Sequence, residues 1–235
     1  TKSMMGHTIS FVNDNHKEII YLNRAADKQT IKNYLVDKKK FPLVLAGNGK
    51  FDKYLFKGFD WNDEYSEITG STVRSYSDKP IKIEIPIFNK ANSLQKIIVP
   101  AAYLIPKQFT QVIEVIKAHQ IKFNLVKDRK RLKVEKYRFD KVQFAQRPYE
   151  GRQLPSFNTI PFTETVEVEA GTLIVYTNQR LLRVIVNLLE PEAPDSFVNW
   201  GFFNAFFERK EYAEAYVMEP YAKQMMKNDS NLRSE

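Results

Sequence analysis

The chain of 235 residues contains no cysteine. Disulfide bonds, thiolate zinc sites and thiol nucleophiles are therefore excluded. The absence does not decide between compartments, because cysteine-free proteins are found in the cytoplasm and in the cell envelope alike. Stability must come from a hydrophobic core, for which 43% hydrophobic and 13% aromatic residues are ample in a chain of this length.

Long apolar runs are absent as well. No stretch approaches the roughly 20 apolar residues that a helix needs to cross a bilayer, so the sequence predicts no membrane span. The opening residues lack the charged-then-apolar layout of a signal peptide, and the first residue is Thr1 rather than methionine. We therefore expect the chain to be the later part of a longer polypeptide.

Positive charge is in excess, with 36 lysine and arginine residues against 28 aspartate and glutamate residues and a formal net charge of +8. This balance permits anionic partners. The densest run, "KDRKRLKVEKYR" at residues 127–138, holds seven basic side chains interleaved with Tyr137 and could follow a phosphate backbone. A solvated hairpin explains the same run, because it starts at the end of one predicted strand and continues into the next. Nucleic acid is therefore not a predicted partner.

Hydrophobic periodicity predicts a mixed α+β fold: a strand-rich body with a β-α-β unit and C-terminal helices, preceded by an N-terminal helix. The helix covers residues 3–36, where apolar residues recur at spacings of three and four. The residues of this stripe are Met5, Ile9, Val12, His16 and Ile19. Because such a stripe is poorly suited to water, we expect it to pack against another domain or against the body of the chain.

Two segments of the body carry the clearest patterns. In "KPIKIEIPIF", isoleucines alternate with polar residues, and Pro86 predicts a strand that lies at an edge or pairs on one side only. Residues 96–126 are predicted to form a strand, a helix starting near Pro106, and a second strand. The two strands should run parallel if they share a sheet.

The stretch "LLEPEAPDSFVNWGFFNAFF" at residues 188–207 follows a helix that is apolar on nearly all sides and is therefore predicted to be deeply buried. Thr177 or Asn178 could cap that helix at its start. Two prolines then end it and stiffen the connection. A further helix is expected to begin at a cap formed by Asp195 or Ser196, with Trp200 and Phe207 buried.

Chemistry-bearing motifs are scarce. Glu190 and Glu192 could in principle work as the carboxylate pair of a glycosidase, but they bracket a proline in a connection, which favours a structural role. The three histidines do not have the spacing of a hydrolytic zinc site. They are His7, His16 and His119. No phosphate-binding loop and no nucleophile elbow occurs. The sequence thus predicts no catalytic, cofactor-binding or metal-binding residue in this chain.

Three stretches, taken in order, resemble the C-terminal portion of bacterial zinc-carboxypeptidase-like proteins of the carboxypeptidase A superfamily. These are "IIVPAAYLIPKQFTQVIEVIKAHQIKFNLVK", "KVEKYRFDKVQFAQRPYEGR" and "AGTLIVYTNQRLLRVIVNLLEPEAPDSFVNWGFFNAFFERKEYAEAYVMEP". The likeness runs from about residue 80 onward and is strongest over residues 171–220. Residues 1–36 are similar to the helix that, in such proteins, follows the strand and loop bearing the catalytic glutamate.

The resemblance implies a parent protein that removes C-terminal residues from peptides with a bound zinc ion. Its metal ligands and catalytic glutamate would precede Thr1, so none is carried over to this chain. Residues 1–40 would then belong to, or pack on, an upstream peptidase domain, and residues 41–235 would form a C-terminal accessory α+β domain without catalysis of its own. Peptide substrate would be met only through the parent. Two alternatives remain open: an independent binding module for an anionic polymer or glycan, and a glycosidase using Glu190 or Glu192.

Overall fold

The computed structural model describes residues 2–208 and 214–228. It confirms a mixed α+β fold with an N-terminal helix and C-terminal helices. The elements are α1 (Lys2–Ile31), followed by a π-helical turn (Lys32–Val36), β1 (Phe41–Gly47), β2 (Asp52–Ser66), β3 (Ser71–Ile87), β4 (Ala91–Ile97), β5 (Ala102–Ile105), α2 (Thr110–Ala118), β6 (Asn124–Leu125), β7 (Lys130–Phe144), β8 (Pro155–Val168), β9 (Leu173–Tyr176), α3 (Leu182–Leu189), α4 (Asn204–Phe207) and α5 (Ala215–Asn228).

The centre of the body is a three-stranded sheet in the order β5-β9-β6. Both outer strands pair antiparallel with β9, so β5 and β6 run parallel to each other with α2 crossing between them. This confirms the predicted β-α-β unit. The apolar face of α2 packs through Val112 and Ile116 into the main core cluster, which also contains Val175 of β9 and Phe197.

Helix α3 separates two hydrophobic clusters. Ile185 belongs to the main cluster, while Leu182 and Val186 belong to a second cluster that also contains Tyr34 and Phe41. These three α3 residues are fully buried, as expected for a helix that is apolar on nearly all sides. The ring of Tyr34 meets that of Phe41 edge-to-face at 5.0 Å, which anchors the π-helical turn after α1 to the body.

Two-stranded ribbons extend from this body. In the first ribbon, β1 pairs antiparallel with β4. Strands β2 and β3, which lie between β1 and β4 in sequence, pair antiparallel with each other. Within the described residues β3 pairs with β2 alone, which agrees with the edge position that Pro86 predicts. A second ribbon is formed by β7 and β8.

Two predictions about helix starts are wrong. The hydroxyl of Thr177 donates to the carbonyls of Pro100 and Ala101, at 2.6 and 3.0 Å, so it ties the end of β9 to the chain before β5 instead of capping α3. Residues 197–203 form successive turns, and α4 comprises only Asn204–Phe207. Gly201 interrupts a longer helix, because its φ is +71° and an added Cβ would lie 2.9 Å from the carbonyl oxygen of Gln153.

Burial in this segment also differs from the expectation. Trp200 and Phe207 are half-buried, whereas Phe197 is buried with 3% of its surface exposed. Ser196 is buried, and its hydroxyl donates to the carbonyl of Pro191 at 2.7 Å. The same oxygen accepts from the backbone N–H of Asn199 at 3.1 Å, so Ser196 caps a single turn.

Candidate functional site

A buried carboxyl group lies where three elements meet. Glu190 directly follows α3 and is 4% exposed. The hydroxyl of Tyr103, on β5, donates to its Oε1 at 2.5 Å, and the hydroxyl of Tyr137, on β7, donates to its Oε2 at 2.8 Å. Both carboxyl oxygens are thus bound inside the protein. This Tyr103–Glu190–Tyr137 cluster joins the central sheet, the β7–β8 ribbon and the end of α3.

The protonation of the cluster follows from its burial. Burial raises the pKa of the Glu190 carboxyl, while the two tyrosine hydroxyls oppose that rise by donating to the ionised form. The charges of Glu135 and Glu192 raise the pKa of Glu190 further. Burial, together with the charge of Glu190, also raises the pKa of both tyrosines. The tyrosines therefore remain neutral hydrogen-bond donors at physiological pH.

The two tyrosines also form part of the wall of a cavity of about 460 Å³, here called the aromatic pocket. Its wall comes from β5, α2, β7, the end of α3, the turns that follow it and α4. The aromatic residues that line it are Tyr103, Phe109, Tyr137, Phe139, Phe197, Phe203, Phe206 and Phe207. Edge-to-face contacts fix several of these rings, among them Phe139 with Phe207 at 5.0 Å. A cavity of this size and lining suits an apolar side chain or a small apolar molecule.

The segment 188–207 has two further acidic residues, Glu192 and Asp195, and both lie outside the cluster. Glu192 accepts a hydrogen bond from the hydroxyl of Thr159, on β8, at 2.5 Å. Asp195 is exposed and accepts from the indole N–H of Trp200 at 3.4 Å. The structure therefore places Glu190 and Glu192 in separate hydrogen-bonded positions, each holding a neighbouring strand against the segment after α3.

The three histidines lie on elements other than those that form this cluster. His7 and His16 are on α1, and His119 ends α2. A ring nitrogen of His16 contacts the carbonyl of Asn13 at 2.7 Å, and one of His119 contacts that of Val115 at 3.0 Å. Among residues 2–208 and 214–228, no group of three or more histidine, aspartate or glutamate side chains could hold a metal ion.

The basic run of residues 127–138 leads into β7 and continues along it. Arg129 and Arg131 pair with Glu167 of β8, and Lys136 pairs with Glu164 at 2.8 Å. Part of the positive charge is thus balanced across the ribbon. No helix in the described part of the chain is long and apolar enough to cross a membrane.

Sequence reasoning missed the roles of Tyr103 and Tyr137. They lie 87 and 53 residues from Glu190, so no local spacing connects them. A weak signal was present in Tyr137, the only aromatic residue inside the basic run, because it interrupts the polar face of a predicted strand. The structure was needed to show that the hydroxyl of Tyr137 binds the carboxyl group of Glu190.

Part of this chain is similar to two known proteins that share one name. The chain is 28% identical over 102 residues to a Carboxypeptidase 2 of Trichophyton tonsurans, and 32% identical over 107 residues to a Carboxypeptidase 2 of Trichophyton equinum. Each match covers 43% of this chain and 19% of the relative, so the chain spans about a fifth of the length of these curated proteins. The profiles of known protein families give no match. Solved structures give none either. The partial matches support a carboxypeptidase-like relationship.

Proposed function

We propose that this chain is a C-terminal accessory region of a zinc metallocarboxypeptidase-like protein, and that it is not catalytic by itself. The observation that carries the proposal is the match to two fungal proteins named Carboxypeptidase 2, which extends over about 100 residues of each. The parent protein would remove C-terminal residues from peptides. Its upstream peptidase domain is the proposed partner of this region, and peptide substrate would reach the region only through that domain.

The surface of α1 supports an upstream partner. None of its described side chains is buried, although the helix is 30 residues long. Met5 and Ile9, from the predicted stripe, are more than 60% exposed. Leaving large apolar side chains in water forfeits roughly 1.5 to 3 kcal/mol each. A peptidase domain preceding residue 41 would cover this face and recover part of that free energy.

The donor set of this chain does not fit the zinc ion that the parent is proposed to bind. A hydrolytic zinc site uses about three nitrogen or oxygen ligands and leaves one position open for water. His7 and His16 lie on α1, whereas His119 ends α2, and the described residues offer no carboxylate cluster beside any of them. The ligands would therefore have to come from the upstream domain, and no catalytic step is assigned to this chain.

The test is to purify residues 1–235, measure their zinc content and assay release of C-terminal amino acids from a panel of peptides. We expect neither stoichiometric zinc nor exopeptidase activity, because metal-assisted hydrolysis needs a ligand set and a carboxylate for the proton. The longer parent polypeptide should show both, with activity abolished by a chelator. Chelator-sensitive activity in residues 1–235 that is lost when His7, His16 or His119 is replaced would contradict the proposal.

A further inference from the structure

The connection between β1 and β2 contains Asn48–Gly49, the one asparagine–glycine pair in the sequence. Gly49 is exposed, its φ is +73°, and a Cβ added to it would have no heavy atom within 4 Å apart from its chain neighbours. In the part of the chain that the structure describes, the N–H of Gly49 donates to no other group. The backbone nitrogen of Gly49 is therefore not held in a hydrogen bond that its reaction would have to break.

The side-chain amide of Asn48 is positioned by two hydrogen bonds. Its Oδ1 accepts from the backbone N–H of Lys50 at 3.0 Å, which forms an Asx-turn. Its Nδ2 donates to Oδ1 of Asn92, on β4, at 3.4 Å. The hydrogen bond from Lys50 draws electron density away from Cγ of Asn48 and stabilises negative charge that develops on Oδ1, as the donors of an oxyanion hole do.

We propose that Asn48 is a site of spontaneous deamidation, in which the backbone nitrogen of Gly49 attacks Cγ of Asn48. The two atoms belong to adjacent residues, so their bond closes a five-membered ring within the chain, and such intramolecular reactions are strongly favoured over the corresponding reaction between two molecules. A side chain on the residue after asparagine hinders this attack, and glycine has none. The proposal does not depend on the peptidase relationship.

Water is the only co-reactant that this modification needs. The nitrogen of Gly49 loses its proton to solvent as it bonds to Cγ of Asn48. The bond from Cγ to Nδ2 then breaks, and Nδ2 takes up a proton and leaves as ammonia, so that a succinimide ring remains. Water opens this ring at one of its two carbonyl carbons, and the nitrogen of Gly49 regains a proton. Attack at Cγ gives aspartate, whereas attack at the backbone carbonyl carbon of Asn48 gives isoaspartate.

The modification changes the connection between β1 and β2. The new carboxylate has no N–H, so the hydrogen bond to Asn92 is lost. Isoaspartate also adds one methylene group to the main chain at residue 48, whose backbone N–H donates to the carbonyl of Lys90 at 3.1 Å. The added carboxylate lowers the formal net charge of the chain from +8 to +7.

Storing purified residues 1–235 at neutral pH tests the proposal, with ion-exchange chromatography to follow the charge and peptide mass mapping to locate it. Asn48 should gain a negative charge, whereas Asn92 should stay unchanged because it lies within the paired strands β1 and β4. Asn48→Gln should abolish the modification, because the longer side chain has to close a larger and less favourable ring. Gly49→Ala should slow it about tenfold, equivalent to about 1.4 kcal/mol of activation free energy.

Asn48→Asp provides the chromatographic reference for the aspartate product. Release of ammonia in proportion to the new charge, absent in Asn48→Gln, would support the proposal. A folded chain that gains no charge at Asn48, or gains it no faster than at Asn92, would overturn it. Modification of Asn48 that occurs only after unfolding in urea would also overturn it, because the folded turn would then protect the amide.

Discussion

Replacing Tyr103 with phenylalanine isolates the contribution of one hydrogen bond to a buried carboxyl group. The substitution keeps the ring in the wall of the aromatic pocket and removes the hydroxyl that donates to Glu190 at 2.5 Å. A hydrogen bond to a charged group contributes about 1.5 to 3 kcal/mol, whereas one to a neutral group contributes about 0.5 to 1.5 kcal/mol. Tyr103→Phe should therefore lower the free energy of unfolding by the larger amount when Glu190 is ionised and by the smaller amount when it is protonated.

The direction of the pH dependence follows from the raised pKa of Glu190. The folded chain holds this proton more tightly than the unfolded chain, whose carboxyl titrates near 4.5. The stability contributed by this group is therefore fully present below pH 4.5 and is lost as the pH rises through the folded pKa. Glu190→Gln removes this titration, so the variant should gain stability relative to wild type between acidic and neutral pH. The glutamine amide can still accept from one tyrosine and donate to the other.

Urea unfolding at about pH 4 and about pH 7 measures these changes for wild type and variants. Tyr54→Phe is the matched control, because Tyr54 is 51% exposed on β2 and its substitution should change stability by less than about 0.5 kcal/mol. A Tyr103→Phe variant that loses no more stability than this control at pH 7 would refute the charged hydrogen bond. An equal loss at both pH values would refute the ionisation of Glu190 between them.

The remaining predictions concern the segment after α3 and the basic run. Phe197→Ala should cost about 3 to 5 kcal/mol because the ring is buried, whereas Asp195→Ala should cost less than about 1 kcal/mol; equal small losses on urea unfolding would contradict the packing described. Binding of residues 1–235 to short DNA, RNA or heparin should be weak and lost by about 200 mM salt. Binding that survives this salt and disappears in Lys130→Ala/Arg131→Ala would favour the binding-module alternative.

The parts of the fold that sequence reasoning anticipated are those in which a local pattern determines burial. Helix α3 is apolar on nearly every side, and only a position between two clusters satisfies such a helix. The crossover from β5 through α2 to β6 was also predicted from the sequence. The spacing of apolar residues there changes from that of a strand to that of a helix and back within a short stretch. In both cases the residues that decide the structure are neighbours in the chain.

The segment after α3 shows where local patterns were insufficient. An aromatic spacing typical of a helix was present, but side-chain hydrogen bonds to backbone carbonyls stabilise turns instead. The side-chain amide of Asn199 donates to the carbonyls of Pro191 and Ala193, at 3.1 and 2.7 Å. Gly201 then adopts a positive φ. A Cβ added at this residue would collide with the backbone carbonyl oxygen of Gln153, which is far away in the sequence. The distant partner could not be foreseen from the segment alone.

The placement of Tyr103 and Tyr137 explains why the candidate site contains both a buried carboxyl group and an apolar cavity. A tyrosine presents an apolar ring and a polar tip, so one side chain can line a pocket and also bind a carboxylate. Phenylalanine keeps the first role and loses the second. Tyr103→Phe should therefore lower the free energy of unfolding while leaving the apolar wall of the aromatic pocket in place.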